Sequence, residues 1–288
     1  MNENLHIGAI MVLYNPDVEQ LDKVVERLKA QVDEVCIVDN TPVPAVDVAA
    51  RYPGIFYLPL GENKGIAAAQ NEGIRYFQQL GYDYIIFADQ DTVVSEDAVE
   101  RLLATSLYLQ SQGIIVGAVA PVAVRTQTGT PMSYKLVYLS DYNEHIMQVI
   151  QTMNSMSLIK LSLFDKVGLM DESLFIDGVD SEWCWRATKL VGATFYYDRN
   201  IQMTHQLGIA TNKLLNREIS IASPTRLYYQ YRNYLWLMRR DYVPRQWLVR
   251  HGVKYFIKIF YYTIKGPNRR SYIKNIYNGI KAGIKNCP

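Results

Sequence analysis

Residues 84–91 read Tyr-Ile-Ile-Phe-Ala-Asp-Gln-Asp (YIIFADQD). Five apolar residues, four of them β-favouring, run straight into two carboxylates one residue apart, the pattern of a buried strand that ends at a polar edge. Upstream, Gly65–Gln79 is Ala-rich with helical spacing, and Ile55–Leu58 and Glu34–Val38 (EVCIV) are short strands, the latter ending at Asp39-Asn40. His6–Leu13 (HIGAIMVL) is a further strand; Pro16 and Asp17 then open a helix with Val18, Leu21, Val24, Val25 and Leu28 on one face. Downstream, Ser95 is placed to N-cap a helix over Glu96–Gln110, followed by a strand over Ile114–Ala120. This alternation predicts an α/β fold: a Rossmann-like, mostly parallel sheet flanked by helices on both faces. Such sheets bind ligands beyond the carboxyl ends of their strands. Tyr14-Asn15, Asp39-Asn40 and Asp89–Asp91 all fall at those ends.

The chain has 288 residues, enough for one large α/β domain with an addition. At 49% hydrophobic and 20% charged, it can bury a core and is not a disordered sequence. Cys36, Cys184 and Cys287 are widely separated and form no CxxC pair, which suits reduced thiols in a cytoplasmic compartment rather than a disulfide framework or a cysteine zinc site. No basic-then-apolar leader opens the sequence, and no uninterrupted apolar run approaches the roughly 18 residues of a spanning helix. The expectation is a cytoplasmic protein.

Several constellations carry chemistry. Asp89 and Asp91 at a strand end could present oxygen ligands to Mg²⁺ or Mn²⁺ and through it hold a diphosphate, although Asp-x-Asp is also common in solvated turns. Residues 63–71 (NKGIAAAQN) open a helix with a glycine and a small-residue first turn, leaving backbone N–H groups suited to an anion. Residues 177–186 (DGVDSEWCWR) form an acidic helix start. Asp180 and Glu182 there either favour the positive end of the helix dipole or supply a general base. His205, in MTHQLG, ends a predicted strand over Asn200–Met203. Alone it reads as a structural histidine; beside two carboxylates it is a candidate metal ligand.

In order and spacing, VLYNP (12–16), VDN (38–40), ENKGIAAAQNEG (62–73), FADQD (87–91), FIDGVDSEWCWRA (175–187) and HQLG (205–208) resemble glycosyltransferase family 2, inverting enzymes with the GT-A fold, and most closely its bacterial rhamnosyltransferase-like branch. The resemblance covers about Ile7 to Gly208. It implies that Tyr14 and Asn15 line a nucleoside pocket, that Asp39 binds the base ring, and that Asn63 and Gly65 cover the sugar diphosphate. It further implies that Asp89 contacts the ribose or donor sugar, that Asp91 is the principal ligand of a divalent cation, and that His205 is a second ligand. Asp180 matches the family's base. Where related sequences often carry two neighbouring acids, this chain has Val179-Asp180-Ser181-Glu182, which leaves Asp180 or Glu182 for the role, with Asp180 preferred. The implied reaction moves a sugar, rhamnose from dTDP-rhamnose or otherwise a UDP-hexose, onto a glycan or lipid-linked glycan acceptor in cell-surface polysaccharide biosynthesis. A nucleotidyltransferase would need a basic triphosphate-gripping loop near the first strand, and VLYNPD has none; a non-catalytic nucleotide-sugar binder on the same fold stays open.

Net charge divides sharply along the chain. Residues 226–288 hold 14 Lys/Arg against one acid, Asp241, a charge of +13, so residues 1–225 carry −11. The expected organisation is a catalytic domain over 1–222 and a basic, aromatic-rich helical region over 223–288. The stretch 251–265 (HGVKYFIKIFYYTIK) intersperses lysines with aromatic and aliphatic residues. That suits either an anionic membrane surface, at the inner face of the cell membrane, or a helix packed on the catalytic domain with its lysines in water. Nucleic acid is not expected as a partner, because no recognised nucleic-acid module accompanies the basic residues.

Overall fold

The computed structural model describes residues 5–125, 134, 137–205, 211–214, 217–220, 222–264 and 268–285; of Arg125, His205, 211–214 and 217–220 it describes the backbone. The first half runs β1 (Ile7–Leu13), α1 (Val18–Lys29), β2 (Glu34–Asp39), α2 (Val48–Arg51), β3 (Phe56–Pro59), α3 (Ile66–Leu80), β4 (Tyr84–Asp89), β5 (Thr92–Val94), α4 (Ala98–Ser111) and β6 (Val116–Arg125). The second half continues with β7 (Tyr138–Asp141), β8 (Ile146–Val149), β9 (Leu158–Lys160), α5 (Leu163–Val167), α6 (Val179–Val191), β10 (Thr194–His205), the pair β11 (Thr211–Leu214) and β12 (Arg217–Ser220), α7 (Pro224–Leu237), α8 (Arg245–Ile264) and α9 (Arg269–Lys285).

The main sheet has the order β3-β2-β1-β4-β9-β6-β10-β8-β7, with β5 added against β10. Its first four strands are parallel, as the alternation predicts. Beyond them it is mixed: β9 enters antiparallel between β4 and β6, and β8 and β5 run antiparallel to β10. The expectation of a mostly parallel sheet therefore holds for β3-β2-β1-β4 and again for the parallel pair β6 and β10, with antiparallel strands between and beyond them. At three residues each, β5 and β9 are too short to show a period of their own, and only pairing makes them strands. Ser95 is likewise not an N-cap. Helix α4 starts two residues later than expected, at Ala98, and the Ser95 hydroxyl donates to Asp97 instead.

Side-chain alternation along β1 divides the interior. Ala9, Met11 and Leu13 face one side, with Leu21, Val24, Val25 and Leu28 of α1 and Val99 and Leu102 of α4; Ile10 faces the other, with Phe77 of α3 and Trp183 and Trp185 of α6. A parallel sheet covered on both faces needs these two helical layers. Cys36 and Cys184 are free thiols inside it; Cys287 lies outside the described residues.

The last three helices do two things. Tyr231 of α7, Tyr261 and Tyr262 of α8, and Tyr272 and Ile276 of α9 form a core of their own, with Tyr262 stacked on Tyr272 at 4.6 Å. Trp236 and Leu237 of α7 meanwhile join the core beneath the sheet. One face of α8, with Val249, Val253, Phe256, Ile257, Phe260 and Ile264, is left exposed. Lys265 falls outside the described residues. Among those described, no helix is long and apolar enough to cross a membrane.

Candidate active site

Strand register brings the polar ends together. In β1, Leu13 pairs with Asp39 of β2 and Val12 pairs with Asp89 of β4, so the two carboxylates flank β1 at one edge of the sheet. The chain leaves β1 through Asn15 in the left-handed region (φ 46°), and the Asn15 N–H donates to the Thr41 hydroxyl at 2.9 Å. The Tyr14 N–H donates to Gln90 Oε1 at 2.9 Å, which ties the end of β1 to the turn after β4. The middle residue of Asp89-Gln90-Asp91 thus braces the turn. Asp39 is buried and accepts from the Thr41 N–H at 2.8 Å and from the Tyr57 hydroxyl at 3.0 Å. Burial, and then the bond to Asp39, pushes the Tyr57 phenol up to about 12, so it stays a donor at neutral pH.

The glycine-led helix start is held from both sides. Asn40 clamps it, its amide donating to Gly65 O at 3.0 Å while its Oδ1 accepts from the Lys64 N–H at 3.1 Å; Asn63 Oδ1 accepts from the Gly65 N–H at 3.0 Å. Gly65 has φ 87°, and a Cβ there would sit 2.6 Å from the Phe175 ring, so glycine is needed twice over. The N–H groups opening α3 are not all free for an anion, as the sequence suggested: that of Ile66 donates to Phe175 O at 2.8 Å.

Phe175 belongs to the loop that delivers α6. This loop is strained, with Phe175 at φ 63° and Asp177 at φ 65°. It is held by α7: the buried Asn233 amide donates to the carbonyls of Leu174, Ile176 and Asp177 at 2.7–2.9 Å, and Arg232 donates to those of Ser173 and Leu174. Phe175 itself stacks on Tyr229 at 4.5 Å. Asparagine is suited to the task because its two amide hydrogens can serve several converging carbonyls.

The outcome is one cavity of about 260 Å³ that Asp89 and Asp180 line together, with Ile66, the Met153–Ser155 segment and Arg226. The two carboxylates come from sequence positions 91 apart. Burial pushes the Asp180 carboxyl up; the negative charges of Asp177 and Asp89 act the same way against a hydrogen bond from the Ser181 N–H. Arg226 also pairs with Asp177 at 2.9 Å. Met153, Asn154 and Ser155 carried no signal in the sequence: they are ordinary residues whose place depends on contacts such as Ser155 Oγ to Thr92 Oγ1 at 3.0 Å. Arg226 was visible only as one of many basic residues.

Glu182 is not in this cavity. It is 1% exposed, and its oxygens accept from Arg186 at 2.8 and 3.0 Å and from Tyr242 at 2.6 Å, with Arg240 at 3.1 Å. Two residues on from Asp180 it points into the packing between α6 and the α7–α8 connection, where these partners engage its oxygens away from the residues that line the cavity. Asp91 follows two residues after Asp89, and its carbonyl accepts from the Gln20 amide at 3.1 Å. Register brings the His205 backbone opposite Thr92, next to Asp91. The His205 side chain and the rest of HQLG lie outside the described residues, and among the described residues no group of three His, Cys, Asp or Glu side chains is placed to hold a metal ion.

A Rossmann-like sheet with acidic strand ends and a cavity beyond the end of β4 is the arrangement in which such folds bind their ligands. Residues 9–168 match the family described as Glycosyl transferase family 2, and the chain belongs to it. It is a glycosyltransferase acting with a nucleotide-sugar donor. Over 294 aligned residues it is 31% identical to dTDP-rhamnosyl transferase RfbF of Shigella flexneri, covering 99% of this chain and 97% of that one. S. aureus TarS 1-349 in complex with UDP-GlcNAc shares the fold at a TM-score of 0.55 and 12% identity, over 96% of this chain and 81% of TarS 1-349. GalNAc-T7 with UDP, GalNAc and Mn²⁺ does so at 0.56 and 13%, over 92% of this chain and 59% of its own length.

Proposed function

We propose that this enzyme transfers rhamnose from dTDP-rhamnose, with inversion, to a hydroxyl of a glycan or lipid-linked glycan acceptor. The observation that carries the reading is Asp180: a partly desolvated carboxylate sharing one cavity with Asp89, at the edge where Asp39 also ends its strand. Likeness over nearly the full length to a dTDP-rhamnosyl transferase supports the donor. In this reading Asp39, Tyr14 and Asn15 hold the nucleoside, Asn63 and Gly65 border the diphosphate, and Asp89 orients the ribose or sugar. Asp180 takes the acceptor proton, the acceptor oxygen attacks the anomeric carbon from the face opposite the leaving group, and the nucleoside diphosphate departs with the bonding electrons. A single displacement inverts the centre. Release of nucleoside diphosphate from a panel of dTDP- and UDP-sugars tests this; dTDP-rhamnose should be consumed fastest, and no release from any donor would sink the proposal.

A divalent cation would be held by Asp91, a hard oxygen donor, with His205, whose backbone pairs opposite Thr92, as a second ligand. Bound there, Mg²⁺ or Mn²⁺ would neutralise charge on the leaving diphosphate. Excess EDTA is therefore expected to stop transfer and added Mn²⁺ or Mg²⁺ to restore it. Full activity in the chelator would remove Asp91 and His205 from that role.

The exposed apolar face of α8, together with a charge of +13 over residues 226–288, supports reversible attachment to the anionic inner face of the cell membrane. Each lysine or arginine near such a surface contributes about 1 kcal/mol. The protein should sediment with phosphatidylglycerol vesicles at low salt, less at high salt, and not with phosphatidylcholine. Failure to sediment at low salt refutes the attachment.

A further inference from the structure

The cavity with Asp89 and Asp180 shares Met153 with a second, larger one. This chamber, of about 340 Å³, opens between Gln151–Met153, the start of α6, and the facing sides of α7 and α8. Aromatic rings form part of its walls. Trp247 stacks on His251 with centroids 4.1 Å apart, and Tyr234 meets Tyr255 edge-on at 5.3 Å. Ring faces carry partial negative charge and suit the C–H face of a sugar.

The same walls carry cations. Lys254 lines the chamber, and one turn along α8 Lys258 donates to Gln230 Oε1, a neighbouring wall residue, at 3.0 Å. The carboxylate that acts on both lysines is Asp177, and Arg226 already holds it with three hydrogen bonds of 2.9–3.1 Å. Positive charge is thus in surplus. Burial, then the charge of Lys254, lowers Lys258 to about 8. Two lysines beside a carboxylate that an arginine already holds favour an anionic ligand.

A further observation is independent of charge. The Gln151 amide donates to the Ser181 hydroxyl at 2.5 Å, while its Oε1, buried, meets no donor among the described residues. Buried acceptors are nearly always satisfied, and a ligand hydroxyl in the chamber would satisfy this one. Ser181 follows Asp180, so that hydroxyl would lie beside the proposed base. From Lys254 and Lys258 the exposed stripe of Val253, Phe256, Ile257, Phe260 and Ile264 continues along α8.

We propose that this chamber is the acceptor site and that it receives a saccharide joined through phosphate or diphosphate to a lipid. The aromatic walls hold the sugar, Gln151 accepts from one of its hydroxyls, Lys254 and Lys258 meet the phosphate, and the α8 stripe meets the lipid. The assignment rests on Asp180 being the base.

Calorimetric titration of the full chain with decyl glucosyl diphosphate, decyl glucoside and inorganic pyrophosphate tests it. The glucosyl diphosphate should bind at least about tenfold more tightly than the glucoside, the effect of charge-assisted hydrogen bonds. A Lys254→Gln, Lys258→Gln double variant should lose that gap, and a Lys254→Arg, Lys258→Arg variant should keep it; melting curves confirm that each is folded. Equal affinities in the native protein, a gap that survives in the glutamine variant, or pyrophosphate binding as tightly as the glucosyl diphosphate would each overturn the assignment. Binding is read without donor, so failure here leaves donor-dependent nucleotide release intact, whereas loss of that release strikes the proposed function.

Discussion

Asp180→Asn is expected to lower the rate of transfer by about 10²–10⁴-fold, the usual contribution of a positioned general base, while nucleotide-sugar binding persists. Asparagine keeps the volume and the acceptor toward the Ser181 N–H but cannot take a proton. The stability effect should run the other way. Folding raises the Asp180 pKa above its unfolded value, so the ionised carboxylate costs stability at pH values above that range. The neutral variant should melt at the same temperature or higher at pH 7. The native enzyme should also lose activity as pH falls through the raised Asp180 value, above the ordinary aspartate range near about 3.9. That acidic limb should vanish from the residual rate of the variant. A pH profile of kcat/KM with melting curves for both proteins checks all three points; native-level turnover in the variant would take Asp180 out of the role.

Glu182→Gln should give the opposite signature. Arg186 and Arg240 converge on a carboxylate that is 1% exposed, and these guanidinium groups are themselves mostly covered, at 18% and 14%. Removing the negative charge leaves two partly buried cations facing an amide. Breaking a buried pair in this way costs about 3–5 kcal/mol. In a chain of this size that lowers the melting temperature by roughly 10 °C. Transfer per folded molecule, measured well below the transition, should stay within about threefold of native on the ground that Glu182 lies outside the cavity of Asp89 and Asp180. A collapse in rate without loss of stability would reverse the assignment of these two acids. The two variants together separate base from brace.

These acids show where reading the chain reaches its limit. Both lie in the first turn of α6, two positions apart, and both suit the positive end of its dipole. Two residues along a helix are about 200° around its axis, so one faces the cavity and the other the interior. Which is which depends on Arg240 and Tyr242, some sixty residues further on. The same holds for Ser95, a good N-cap in isolation, whose hydroxyl goes to Asp97. Helix α3 was legible because its glycine and alanines answer to a local need; that Phe175 would occupy one of its N–H groups was not, because a distant loop supplies the acceptor.

Sequence alone determined the strand-helix alternation, the acidic edge with Asp39, Asp89 and Asp91, and the basic character of residues 226–288, because each rests on local periodicity or composition. Tertiary structure decided the rest. It set antiparallel strands among the parallel ones in the second half of the sheet, separated Asp180 from Glu182, and made α7 the support of the loop that precedes the proposed base. It also closed the aromatic, cationic chamber between α7 and α8. The physical reason is the same throughout: hydrogen bonds and burial among residues far apart in the chain have energies that no window of neighbouring residues contains.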